Sequence, residues 1–232
     1  MSLKFFGRGG AFSDEHNSAF FVADNELVMI DCPASAFQKA KKMDIMGFDN
    51  IFILVTHTHG DHAGGIGMML QYVWFMSGMK KHVTVVAPSD EVKNDLKTLL
   101  DRIEGCEPGW YELTTADRLK RDWLVQTVPT THSETLAGRC FGYRLCIGGI
   151  NTVYTGDSST LEPFLPLLEK GSLLYTETAF FKSGVHMYIG DILPILRQLV
   201  SDGVKVFLMH LDDEESIQGL INGTGIELAP LL

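Results

Sequence analysis

An apolar run that empties directly into metal-type side chains constrains this chain more than any other feature. Ile51-Phe52-Ile53-Leu54-Val55 reads as a buried strand, followed at once by Thr56-His57-Thr58-His59-Gly60-Asp61-His62-Ala63-Gly64-Gly65 and then by a helical pattern. Three of the eight histidines fall within the six positions from 57 to 62. On an extended segment alternate side chains share a side, so His57 and His59 can converge on one ion, while the turn at Gly60 aims Asp61 and His62 elsewhere. Two adjacent metal positions follow. Imidazole and carboxylate donors suit zinc, with manganese or iron also fitting.

The same kind of run recurs along the chain. Residues 27–30, 83–86, 124–128, 152–154 and 204–208 read as strands, most of them continuously apolar, so their sheets are covered on at least one face. Val92, Leu96, Leu99, Leu100 and Ile103 recur at helical spacing behind the cap Ser89, and residues 192–200 follow Asp191 with Pro194 in the first turn. Residues 139–146 and 151–154, separated by Gly148-Gly149, read as a hairpin, so the sheets are mixed and the class is α/β. At 232 residues, with no linker, repeat or composition break, residues 1–232 read as one domain.

Composition narrows the function. A net charge of −10 disfavours a binder of extended nucleic acid that relies on a broad basic surface. No secretory pattern opens the sequence, and the most apolar window, 66–79, is short of the roughly 20 residues that span a bilayer, so the expected location is cytoplasmic and this window is a buried helix. Cys32, Cys106, Cys140 and Cys146 form no C-x-x-C pair and read as buried thiols.

The H-x-H-x-D-H loop at a strand end resembles the signature of the metallo-β-lactamase superfamily, and four further stations agree in order. They are Asp31 in Met29-Ile30-Asp31-Cys32, His132 in Pro129-Thr130-Thr131-His132-Ser133, Asp157 in Tyr154-Thr155-Gly156-Asp157, and His210 in Phe207-Leu208-Met209-His210. The resemblance implies a four-layer αββα sandwich with two mixed β-sheets. It also implies that His57, His59 and His132 hold one divalent ion, that Asp61, His62 and His210 hold the other, and that Asp157 bridges them. Asp61 would serve both as ligand and in catalysis, and Asp31 would either orient the metal loop or cap a turn. Two ions roughly 3.5–4 Å apart can activate one water and clamp attacking and leaving oxygens, so the reaction class is hydrolysis.

Two segments resemble the phosphodiesterase branch that includes ribonuclease Z. One is Phe6-Gly7-Arg8-Gly9-Gly10-Ala11-Phe12 with the strand after Asn17, although Arg8 stands where that branch usually has threonine. The other is Glu177-Thr178-Ala179-Phe180 followed by Val185-His186-Met187-Tyr188, which implies that His186, oriented by Glu177, faces the scissile phosphate. A poor alkoxide leaving group benefits from such a proton donor. His16 and His82 match no station and read as surface histidines.

Ribonuclease Z carries a transfer-RNA-gripping arm between its third histidine and its bridging aspartate. Here only 24 residues separate His132 from Asp157, and His210 is followed by the acidic run Leu211-Asp212-Asp213-Glu214-Glu215. The leading expectation is therefore a phosphodiesterase acting on a small-molecule phosphodiester such as a cyclic nucleotide. Hydrolysis of a thioester, lactone or β-lactam is the alternative, transfer-RNA 3′ processing comes next, and a non-catalytic scaffold is disfavoured because no ligand is lost. A homodimer is compatible, since relatives commonly form one.

Overall fold

The computed structural model describes residues 2–232. Two six-stranded sheets form from consecutive parts of the chain. The first holds β1 (Lys4–Gly7), β2 (Ser18–Ala23), β3 (Glu26–Ile30), β4 (Asn50–Leu54), β5 (Val83–Ala87) and β6 (Tyr111–Thr115), side by side in that order. The second holds β7 (Leu124–Pro129), β8 (Phe141–Ile147), β9 (Ile150–Tyr154), β10 (Leu173–Glu177), β11 (Lys205–Met209) and β12 (Glu227–Leu228), again in chain order. In each sheet the first two pairings are antiparallel and the remaining three parallel.

The helices are α1 (Ala34–Ala40), α2 (Gly60–Ala63), α3 (Ile66–Met76), α4 (Asp90–Lys97), α5 (Ile189–Ser201) and α6 (Glu214–Ile221). Period-two geometry explains why the central strands are apolar throughout, because both of their faces are buried. Leu27, Met29, Ile51, Ile53, Val83 and Val85 pack with residues of α1, α3 and α4, whereas Val28, Ile30, Phe52, Leu54 and Val86 join Tyr143, Tyr154, Tyr175 and Met209 between the sheets. Leu174, Val206 and Leu208 pack on the far side with residues of α5 and α6. The result is the four-layer αββα sandwich with mixed sheets.

Several local expectations need correction. The window 66–79 is helical only to Met76 and is buried on one face: Ile66, Met69, Leu70 and Val73 are covered, while Phe75, Met76 and Met79 are exposed. Ser89 does cap α4, accepting from the Val92 amide, but regular α-helix stops at Lys97 and a π-helical turn, Thr98–Ile103, leaves Ile103 exposed. Helix α5 starts at Ile189, earlier than expected, because the Ile189 amide donates to Ala179 O and draws the chain into the first turn. Asp191 therefore lies inside the helix, as does Pro194. The four thiols are unpaired; Cys146 is only half-buried. Among the described residues no helix is long and apolar enough to cross a membrane.

Candidate metal centre

The site is built where strands end. Asp31 follows β3, His57 to His62 follow β4, His132 follows β7, Asp157 follows β9, and His210 follows β11, so side chains far apart in sequence meet at one edge of the sandwich. Parallel strands present their carboxyl ends together, which is where open α/β sheets hold ligands. Two strand ends bend sharply to do this: Asp31 has φ 60° and His210 φ 54°, left-handed conformations unusual for residues other than glycine. Gly156, at φ 59°, turns the chain immediately before Asp157.

The ligand atoms of His57, His59 and His132 lie within 4.8 Å of one another, and so do those of Asp61, His62 and His210. Asp157 sits between the groups. Its Oδ2 is 3.9 Å from His57 Nε2, 3.6 Å from His132 Nε2 and 3.4 Å from His210 Nε2, while its Oδ1 is 3.4 Å from His62 Nε2. The seven residues named from the sequence are brought together.

Hydrogen bonds behind the cluster decide which imidazole nitrogen faces it. Thr56 Oγ1 donates to Asp31 Oδ2 at 2.7 Å, so it can only accept from His57 Nδ1 at 3.0 Å, which leaves the His57 Nε2 lone pair pointing inward. His62 Nδ1 donates to Asp31 Oδ2 at 2.8 Å, and His132 Nδ1 donates to Val185 O at 2.9 Å, with the same result. Asp31 also accepts the Thr56 amide at 2.7 Å. Asp31 is thus an orienting carboxylate rather than a turn cap. Thr56 carries a role that the sequence did not reveal, since a threonine before a histidine pair is common as strand-end chemistry.

Two atoms test whether a cation fits. His62 Nε2 and Asp157 Oδ1 are buried without a hydrogen-bond partner, a costly arrangement for polar atoms unless something else completes them. A lone pair and a carboxylate oxygen converging on one spot suit a divalent ion. Electrostatics agree. Burial raises the Asp157 carboxyl, but the charges of His210, His62 and His57 outweigh it and hold it well below the usual carboxylate range. Burial lowers His57, His59 and His132, favouring the neutral imidazole that a metal requires. His62 goes the other way: burial opposes its charge, yet Asp157 and Asp31 raise it well above the ordinary value, so an ion binding there would displace a proton.

His186 and Glu177 adjoin this cluster. Glu177 ends β10, is fully buried, and its Oε1 accepts both the Ser158 amide at 2.8 Å and His186 Nδ1 at 3.1 Å. His186 Nδ1 is 4.0 Å from Asp157 Oδ2, and the ring stacks against His210 with centroids 5.1 Å apart. Burial pulls His186 down, but the bond to Glu177, the charge of Glu177 and that of Asp157 lift it to about 9. Burial also raises Glu177 itself. Both directions keep a proton on the pair.

The remaining histidines and the acidic run find structural places. His82 is exposed beside Glu112, whereas His16 is half-buried and fastens a loop through Ala11 O at 3.2 Å, so it is more than a surface residue. Asp213 caps α6 by accepting the Ser216 amide, and Glu214 pairs with Arg8, whose guanidinium also donates to Ala229 O. Arg8, the departure from the branch pattern, therefore ties the first strand's exit to the start of α6 and to the segment after β12.

Comparison with known proteins agrees with this geometry. The chain is 29% identical over 237 residues to an Anti-Pycsar protein Apyc1 of Bacillus phage 010DV004, covering 92% of this chain and 90% of that one. It is 34% identical over 98 residues to a ribonuclease Z of Methanococcus maripaludis, 40% of this chain and 31% of the other. The metallo-β-lactamase fold protein YhfI from Bacillus subtilis superposes with a TM-score of 0.74 at 17% identity, covering 97% and 94% of the two chains. A family profile described as Anti-Pycsar protein Apyc1 matches residues 1–223. With the strand-end stations all filled, the chain has the metallo-β-lactamase fold and belongs to the Anti-Pycsar protein Apyc1 family.

Proposed function

We propose that the chain is a phosphodiesterase acting on a small phosphodiester such as a cyclic nucleotide, and that the anti-Pycsar activity in its relatives' name extends to it. The observation that carries this reading is the His186–Glu177 pair set against the candidate ligands. His57, His59 and His132 would hold one ion and Asp61, His62 and His210 a second, with Asp157 shared; the donor set favours zinc, with manganese or iron as substitutes. Divalent ions there would supply Lewis acidity at the phosphoryl oxygens and lower the pKa of water.

The chain's own residues do the rest. Asp31, through Thr56 and His62, fixes the Nδ1 side of the imidazoles so that Nε2 is the nitrogen turned toward the ions. Glu177 holds the Nδ1 proton of His186, which leaves Nε2 to carry a proton to a leaving alkoxide. Thioester hydrolysis has no comparable need for that donor, because a thiolate leaves readily without a proton.

The test is His186→Ala, assayed with a metal-content measurement. On an alkyl phosphodiester kcat should fall roughly 10²–10⁴-fold while an aryl phosphodiester, whose phenolate leaves without a proton, loses far less. Equal losses on both substrates, or lost metal, would make His186 structural. A wild-type preference for thioesters or lactones over every phosphodiester would sink the reading.

A further inference from the structure

Beside the candidate ligands lies a cleft of about 440 Å³, within the range of small-molecule sites, whose inner wall includes His186 and His210 and whose outer part includes Phe12 and Phe181. Phe12 is fully exposed and Phe181 62% exposed. A lone exposed phenylalanine is unremarkable; two on one cleft, next to the residues that would meet a phosphate, are not.

Both rings are carried by backbone anchored to the loop that bears His210. The Gly10 amide donates to Leu211 O at 2.8 Å, and a Cβ at Gly10 would stand 3.6 Å from the His210 ring, so the turn ending in Phe12 runs along that ring. Ser13 closes this turn by donating its amide and hydroxyl to Gly10 O. On the other side the Asp212 carboxylate accepts the amides of Phe180 and Phe181 at 2.6 and 3.0 Å, and Phe180 meets Phe181 edge to face with centroids 5.2 Å apart. Ser13 and Asp212 are thereby committed to backbone partners, and the exposed apolar surface that the cleft offers a ligand is that of Phe12 and Phe181.

We propose that Phe12 and Phe181 form a stacking subsite for the nucleobase of a nucleotide whose phosphate sits at His186 and His210. The proposal rests on the phosphodiesterase reading for its phosphate end only. Stacking of a base on an aromatic side chain tolerates flat apolar surroundings and needs no edge-reading hydrogen bonds, which matches this lining. Asp212 is the positioning residue for Phe181.

Calorimetric titration of metal-loaded protein with AMP and with ribose 5-phosphate, the same phosphate without a base, tests it. AMP should bind at least about tenfold tighter, and Phe12→Ala and Phe181→Ala should each shrink that gap by about fivefold or more. Phe75→Ala, an exposed phenylalanine on α3 away from the cleft, should leave the gap intact. Equal binding of the two ligands, or an undiminished gap in both variants, overturns the subsite. So does a Phe12→Ala protein that sediments as a smaller species with its gap unchanged, because a second copy would then be the occupant. If no phosphodiester is hydrolysed while the gap and its loss persist, the hydrolysis reading fails and the subsite stands; hydrolysis without a gap means the reverse.

Discussion

Asp31 shows how much one buried carboxylate can decide. Its two oxygens receive three donors, and by holding the His62 Nδ1 proton it leaves Nε2 as the nitrogen that an ion can take once its proton is displaced. Asp31→Asn keeps the shape but offers an amide N–H where an acceptor stood. His62 can then bond only by moving its proton to Nε2, the nitrogen a metal needs. Affinity for the ion held by Asp61, His62 and His210 should fall about 10–100-fold, and the His57, His59 and His132 position should weaken as well, because Thr56 Oγ1, no longer donating to residue 31, is free to donate to His57 Nδ1. Two-site metal titration reads this directly; an unchanged affinity at the Asp61, His62 and His210 position would contradict it.

At the scale of elements, the short links after strands do the positioning. Gly156 has φ 59°, and a Cβ there would approach Phe141 O to 2.5 Å, a backbone atom that cannot move aside without disturbing β8. Gly156→Ala should therefore cost at least roughly 1–3 kcal/mol and displace Asp157, which thermal unfolding and metal content measure together. A variant with native Tm and full metal would show that the turn tolerates a side chain. These strand-end residues were legible in the sequence because ligation demands particular side chains directly after apolar runs, and few other pressures place His57, His59 and His62 so close. The central strands were legible because burial on both faces makes them continuously apolar. Strand β6, Tyr111-Glu112-Leu113-Thr114-Thr115, was not: it is an edge strand, half-exposed, and its composition suits a loop equally. Strand β10 was also missed although it is buried throughout, because the Thr176-Glu177 end that serves the site breaks its apolar run. The start of α5 escaped as well, since the bond from the Ile189 amide to Ala179 O is tertiary. Phe12 and Phe181 carry no spacing signal, and only exposure beside the cleft singles them out.

Across the whole molecule, charge and topology set the limits. With a net charge of −10, and with the 24 residues between His132 and Asp157 occupied by a short turn and the β8–β9 hairpin, few cations are available to release counterions from a long phosphate chain. Precursor transfer RNA should be cleaved weakly or not at all at enzyme concentrations that turn over a small phosphodiester; efficient cleavage would point to a local basic patch. The repeated pairing order of the two sheets has a different consequence. Each candidate triad draws two side chains from the first half of the chain and one from the second: His57 and His59 with His132, Asp61 and His62 with His210. An ion in either place would be a clasp between halves that otherwise adhere through apolar faces and scattered polar links such as Arg8 to Glu214 and the Tyr143 hydroxyl to Val55 O. At 100 times its Kd it would add about 2.7 kcal/mol of stability and raise Tm by roughly 5–10 °C. A clasp that closes only after the sheets have docked slows their parting and leaves their meeting untouched, so chelation should speed unfolding while refolding in chelator keeps its pace.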